Sequence, residues 1–492
     1  MNLRRINVAV EGRPVTLNPL IHAGKSLATA TVTAPIMHSL LQVDYNGRYR
    51  GQLATGLPQI SEDGLGLIYR IRKDASWHDG TPVTSSDVER TWQLMVDTST
   101  AIPERDGYDR IERIIPINDR AFHIRLNTPY SAVGDLFTST TGSLIPAHLI
   151  RRSNFDATWD ETVRPSSGPY RLEEWNSDKI VLRKNPYFRP APWFDEVCIK
   201  FPPTDQERAD MIDRRELQFA TFNSEKVARE AINSVSASYT LLKGRSSSFE
   251  CLLFNTRFGS VFEERSTRKS WRAVLDRESI ARDAVNAEPL DALLDRPADS
   301  EVAQSSSAWG AIPRNRYRGT LDQDEIGWGK EVRLVAIPTP ERKRIVKHLR
   351  HVAEMHSMCL RVEWLTPEDL TSRLSAQTFD AALVGFTGNP DPAGHYTLWR
   401  HCERGGQNYS GINDRSLNAA LDKLLNERDE RERRIALRLA EEALSETVPA
   451  IPLYSYPVVS VLHKGLSGPV PYPYQSGQLV ELENWRWAGS NP

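Results

Sequence analysis

Between residues 332 and 386 strand and helix signals alternate, and no other feature of the chain limits its possible folds so tightly. Residues 332–337 and 360–364 carry strand patterns, and the stripe Ile345, Leu349, Val352 and His356 predicts a helix over 341–358. A short helix over 367–375 leads into a strand over 379–386, where Ala381, Ala382, Leu383 and Val384 form a continuous apolar run. Such a run suits a strand covered on both faces. The β-α-β-α-β succession implies a parallel sheet flanked by helices, an α/β architecture.

At 492 residues the chain is too long for one core, and length alone suggests about two to four lobes. Lys and Arg number 62 against 64 Asp and Glu, a net charge of −2, which offers no field to attract nucleic acid or an anionic membrane. Twelve Trp and fifteen Tyr exceed scaffolding needs; most are expected in cores, with some free to line a ligand cleft. Cys198, Cys251, Cys359 and Cys402 are scattered without metal-like spacing, so structural zinc is not expected. Cys198 and Cys251 lie in strand-like runs as buried thiols, while an oxidising compartment would also permit disulfides of undetermined pairing. No run reaches the length of a membrane-spanning helix.

Taken in order, the chain opens with a strand over 6–10, a turn at Glu11, Gly12, Arg13 and Pro14, then Leu17, Asn18 and Pro19. Near-helical spacing of Ala30, Ala34, Met37, His38 and Leu41 predicts a helix over 29–41 despite Pro35, with His38 at the edge of a core. Leu67, Tyr69 and Ile71 alternate as a strand does, ahead of the stretch Trp77, His78, Asp79, Gly80, Thr81, Pro82. Here Gly and Pro are turn chemistry, and Thr84 or Ser85 can cap the following helix with Asp87 in its first turn. Val88, Thr91, Trp92, Met95 and Val96 mark its buried face. Strands are predicted over 122–126, 180–182 and 197–201, and a charged helix over 205–216. Residues 247–285 suggest strand, loop and helix; 286–323 are loop-rich, broken by Pro289, Pro297, Ser305, Ser306, Ser307 and Gly310. A charged helical stretch over 414–447 turns Leu417, Leu421, Leu424, Leu437 and Leu444 inward, and its run 427–434 is expected as a solvated helix junction.

Four blocks in this order resemble one family. Trp77, Asp79, Gly80, Pro82, Thr84, Asp87 and Val88 fit the pattern W-x-D-G-x-P, then T or S, then D-V; Gly168, Pro169, Tyr170, Trp175, Asn185, Pro186 and Tyr187 fit a second block. Phe254, Asn255 and Thr256 followed by Arg268, Ala273, Asp276 and Arg277 fit a third, and Pro449, Ile451, Pro452 and Leu453 a fourth. The chain thereby resembles the extracytoplasmic solute-binding proteins, family 5, which serve peptide and nickel ABC importers. The resemblance implies a two-lobed periplasmic-binding-protein fold, discontinuous lobes joined by a two-strand hinge, with an extra domain. Lobe I would comprise 1–38, 165–245 and 465–492, an inserted domain II 39–164, and lobe II 246–464.

An open α/β sheet binds ligands beyond the carboxyl ends of its strands, which points to Phe386, Thr387, Gly388, Asn389, Pro390 and Asp391. In the family the equivalent loop is one residue longer, begins with Gly-Trp, and carries an Asp that holds a peptide's free amine by a charge-assisted bond. Here Phe386 replaces the Trp and Asn389 stands in place of that Asp; Asp391 matches a second acidic position that shapes the turn. Either Asp391 has taken over, or the ligand has no amine there. By the same resemblance Asn255 would bond ligand backbone from lobe II, and Glu11 and Gly12 would face the cleft from lobe I. His395, Trp399, Tyr409, Tyr454 and Tyr456 complete the candidate lining, each open to a core role as well.

Catalytic signatures G-x-S-x-G, H-E-x-x-H, a Walker loop and a strand-borne G-x-G-x-x-G are missing. His78 is expected as an exposed turn residue, and His348, His351 and Glu354 as a solvated helix face rather than a metal trio. The function the resemblance implies is capture of a peptide-like or other small polar ligand in an interlobe cleft by hinge closure, as the monomeric substrate-binding component of an ABC importer partnered by permease subunits, and no cofactor, metal, nucleic acid or catalysis is expected. Family members are exported, yet Met1, Asn2, Leu3, Arg4 and Arg5 lead straight into a strand. Either a leader was removed, which makes the protein periplasmic or lipid-anchored, or Met1 is native and the protein is cytoplasmic. The alternative function, compatible with a cytoplasmic start, is a ligand-sensing or biosynthetic accessory protein on the same binding fold.

Overall fold

A computed structural model describes the chain except residues 1–2, 22–25, 101, 103–104, 106, 139–141, 156–164, 291–292, 294–329, 356, 389, 402–406, 475 and 490–492, and the side chains at 154 and 395–397. Most of the loop-rich segment 286–323, Cys402 and Asn389 therefore lie outside the described residues. The chain forms two compact units, Met1–Arg245 with Val458–Pro492, and Ser246–Pro457.

The first unit begins with β1 (Arg5–Ala9). It continues with β2 (Leu41–Val43) and β3 (Tyr49–Gly51), an antiparallel pair. Next come β4 (Gln59–Ile60), β5 (Gly66–Arg70), β6 (Ile111–Asn118) and β7 (Ala121–Leu126), a separate four-stranded sheet in the order β4-β5-β7-β6. Then follow β8 (Tyr170–Trp175), β9 (Lys179–Lys184), β10 (Glu196–Lys200) and β11 (Phe219–Phe222). β1 lies parallel to both β10 and β11, so its Ile6, Val8 and Ala9 are wholly buried. β12 (Tyr239–Phe254) then carries the chain into the second unit.

There β13 (Glu331–Ala336), β14 (Cys359–Trp364) and β15 (Ala381–Phe386) form a sheet in which β13 lies parallel to both β14 and β15. β15 pairs with β12 in antiparallel register. The predicted βαβ succession is present, and Ala381 to Val384 are all buried. Helix Pro340–Met355 sets Ile345, Val346, Leu349 and Val352 into a core shared with Leu252, Phe254, Leu334 and Leu383. β16 (Ala450–His463) takes the chain back, and its residues Val459 to Leu462 pair with β11. The short strands β17 (Leu466–Ser467) and β18 (Arg486–Trp487) end the first unit.

The blocks that carry the resemblance turn out to be joinery. Thr84 and Asp87 form a capping box on helix Ser85–Val96, as its T-x-x-D spacing suggests. The buried Asp87 carboxylate also accepts from Trp77 Nε1 at 3.2 Å and Ala147 N at 2.7 Å. Burial nevertheless pushes its pKa up. Asn185 donates to Gly168 O at 2.9 Å and accepts from Tyr187 N, tying the two ends of the second block. Arg268 donates to Thr447 O at 2.9 and 2.7 Å, closing the carboxyl end of helix Glu430–Thr447.

Three local expectations need correction. The helix expected over 29–41 is Leu27–Thr33, because Pro35 cannot continue it. His38 beyond it is buried, its ring edge-on to Phe188. His78 is half-buried rather than exposed, and burial holds its pKa down.

Candidate functional site

The carboxyl end of β15 combines an exposed glycine with a firmly held loop. Gly385 is exposed, while Phe386 and Thr387 are half-buried. Phe386 sits opposite Phe249 of β12, rings 5.9 Å apart, and meets the edge of Trp399 at 5.9 Å. Trp399, a candidate lining residue equally open to a core role, is 0% exposed. It is the packing behind Phe386.

Gly388 is buried beside Ser247 of β12. Its N–H donates to Ser247 O at 3.2 Å, and Ser247 Oγ donates to Gly388 O at 2.9 Å. A Cβ at position 388 would stand 2.6 Å from that backbone oxygen, so only glycine fits. Asp391 is buried too. Its Oδ1 accepts from Ala393 N at 2.9 Å, and Arg433 Nη2 donates to both carboxylate oxygens at 2.7 and 2.8 Å. The carboxylate is thus engaged by the turn that follows it and by a cation of its own unit. Arg433 also corrects the run 427–434 as a wholly solvated junction, since its side chain is only 14% exposed. Asn389 lies outside the described residues.

Asn255 follows β12 and is 6% exposed. Its amide donates to Gln377 O at 3.0 Å and Phe379 O at 2.8 Å, and its oxygen accepts from Arg257 N at 3.2 Å. Both amide protons are donated inside the second unit. Tyr409 is half-buried, its carbonyl accepting from Gln377 Nε2 at 3.2 Å. Tyr454 is fully buried; Tyr456 is partly exposed.

Sequence reasoning missed the group beside Gly385. Glu250 is 0% exposed on β12, paired in register with Gly385. Arg342 donates to it through Nε at 3.0 Å and Nη2 at 3.1 Å, and the Tyr456 hydroxyl donates to the same carboxylate. Burial, then the Glu250 charge, raises the Tyr456 pKa well above its ordinary value. The signal was a lone acid inside the apolar stretch Phe249 to Phe254, which a buried strand tolerates only with a partner.

In the first unit, Glu11 is exposed just past β1 and its N–H donates to Thr221 Oγ1 at 3.1 Å. Gly12 follows with φ +70°, and a Cβ there would touch Ala28 at 3.4 Å. Among the described residues no three His, Cys, Asp or Glu side chains group as metal ligands, and no helix is long and apolar enough to cross a membrane. His348 instead pairs with Asp283 at 2.9 Å. Cys198, Cys251 and Cys359 are free thiols.

Comparison with known proteins gives this arrangement its context. Protein XP55 of Streptomyces lividans is 24% identical over 460 residues, covering 89% of this chain and 81% of that protein. The dipeptide-binding protein DppE of Bacillus subtilis (strain 168) is 21% identical over 472 residues, covering 88% and 82%. The solved structure of the periplasmic EDTA-binding protein EppA superposes with a TM-score of 0.83 at 18% identity, covering 99% of this chain and 97% of that one; it shares the two-lobed periplasmic-binding-protein fold. Residues 48–407 match the family described as bacterial extracellular solute-binding proteins, family 5 Middle, and the chain belongs to that family of substrate-binding components of ABC importers.

Proposed function

We propose that this importer component captures a peptide-like or other small polar ligand in a cleft between its lobes and closes over it by bending at β12 and β16. The observation that carries the reading is the family match over residues 48–407, in a chain whose two units are joined by those two strands. A ligand shifts the open–closed balance only by binding the closed state better, so it must touch both lobes. From the second unit, the exposed Gly385 with Phe386 and Thr387 supplies main-chain groups and an aromatic wall at a strand's carboxyl end. From the first, Glu11 and Gly12 are the contacts.

Asp391 is not the anchor for a cationic amine, because Arg433 already neutralises it. Relatives named for a dipeptide and for EDTA differ in charge and shape, so the class is small and polar rather than peptide alone. The separate sheet β4-β5-β7-β6 supports an inserted domain over 39–164 within the first unit. The protein works outside the cytoplasm as a monomer and hands its ligand, chemically unchanged, to permease subunits. Native mass spectrometry of protein purified from its own host tests the reading, followed by calorimetry with the molecule found. A co-purifying small polar molecule that binds with measurable heat supports it. Protein that carries nothing, and gives no heat with dipeptides or metal chelates, sinks it.

A further inference from the structure

The segment after β15 is held at two points three positions apart. At Gly388 the hold is the reciprocal pair with Ser247, made possible by the missing Cβ. At Asp391 it is the two-oxygen contact from Arg433 on helix Glu430–Thr447. The two holds attach to different elements. Ser247 belongs to β12 one residue past Ser246, where the strand enters the second unit. Glu250, three residues further on, is fixed by Arg342 and Tyr456. Ser247 thus lies between the firmly anchored part of β12 and the point where the strand leaves.

We propose that Ser247 and Arg433 are positioning residues, Ser247 pinning the carboxyl end of the ligand-facing residues 385–387 at Gly388 and Arg433 pinning the turn beyond it at Asp391, and that Ser247 makes the ligand-facing residues move with the crossing strand. The proposal rests on the reading that residues 385–387 face ligand. A segment fixed to β12 changes its posture whenever that strand bends, so ligand contact and strand geometry become one variable. Arg433 keeps the far end stationary against the helix. The wall is then presented in one arrangement rather than many, which spares the ordering cost a loose loop would add to binding.

Hydrogen exchange by mass spectrometry on the full chain, without ligand, tests this. Arg433→Gln is expected to raise exchange over residues 387–394 by about tenfold while β13 and 246–249 stay protected. Arg433→Lys, which retains the charge, is expected to recover most of that protection. Gly388→Ala is expected to raise exchange over 387–394 and over 246–249 together, also by about tenfold. Ser247→Ala, which keeps the backbone pair and loses only the hydroxyl, is expected to do the same more weakly, and it serves if Gly388→Ala does not fold. Unchanged exchange over 387–394 in Arg433→Gln overturns the pin. A rise spread evenly through the second unit, or 246–249 still protected in both Gly388→Ala and Ser247→Ala, overturns the joint. Because no ligand enters the experiment, intact pins in a protein that binds nothing would overturn the preceding subsection alone.

Discussion

His38 shows how a single buried side chain links acidity to stability. Burial, then the positive charge of Arg72, lowers its pKa from 6.5 to about 3. The unfolded chain therefore takes up a proton near pH 6.5 that the folded chain refuses until about pH 3. Stability from this group is intact above pH 6.5 and declines as the pH falls between those values, by at most about 1.4 kcal/mol per pH unit. Urea denaturation across that window is expected to show the slope, and His38→Gln to flatten it. A second residue separates architecture from binding. Asn255→Ala removes three hydrogen bonds from a buried site and is expected to cost about 1–3 kcal/mol. Calorimetry with an identified ligand is expected to give an unchanged affinity, since the amide is committed within its own unit.

At the scale of elements, the turn and helix around Trp77 test whether the family signature is scaffold. Thr84→Ala is expected to cost about 1 kcal/mol, the usual worth of an N-cap. Asp87→Ala strands the donors of Trp77, Thr84 and Ala147 and is expected to cost more, about 3 kcal/mol. Denaturation midpoints of the two variants check the order. Much of this level was legible in the sequence. Alternation located β5 and β7, a continuous apolar run located β15, and the T-x-x-D spacing located the capped helix. What escaped depends on tertiary partners. The period over 29–41 outweighed Pro35 although the helix stops at Thr33, and nothing local says that Arg433, inside a run of charges, turns toward Asp391 forty-two positions earlier. Trp399 was legible as an aromatic but not as one hidden behind Phe386. Glu250 could have been found, because a buried carboxylate needs a cation, though its partner Arg342 lies on a helix that begins well after it.

For the whole molecule, the prediction concerns what occupancy does to stability. A ligand that binds only the folded chain, present at about one hundred times its dissociation constant, adds about 2.7 kcal/mol. Thermal unfolding with the co-purified molecule is expected to shift upward with its concentration, and glycerol or salt at matched osmolarity is not. Neither residue nor element predicts that response. The two units are joined by two strands, and their connectivity has a further consequence during synthesis. The second unit is one uninterrupted stretch, Ser246–Pro457, whereas β11 of the first lacks its antiparallel neighbour until residues 459–462 exist. A ribosome making this chain must therefore pass residue 462 before the earlier-born unit can finish folding, by which point every residue of the later-born unit has been made.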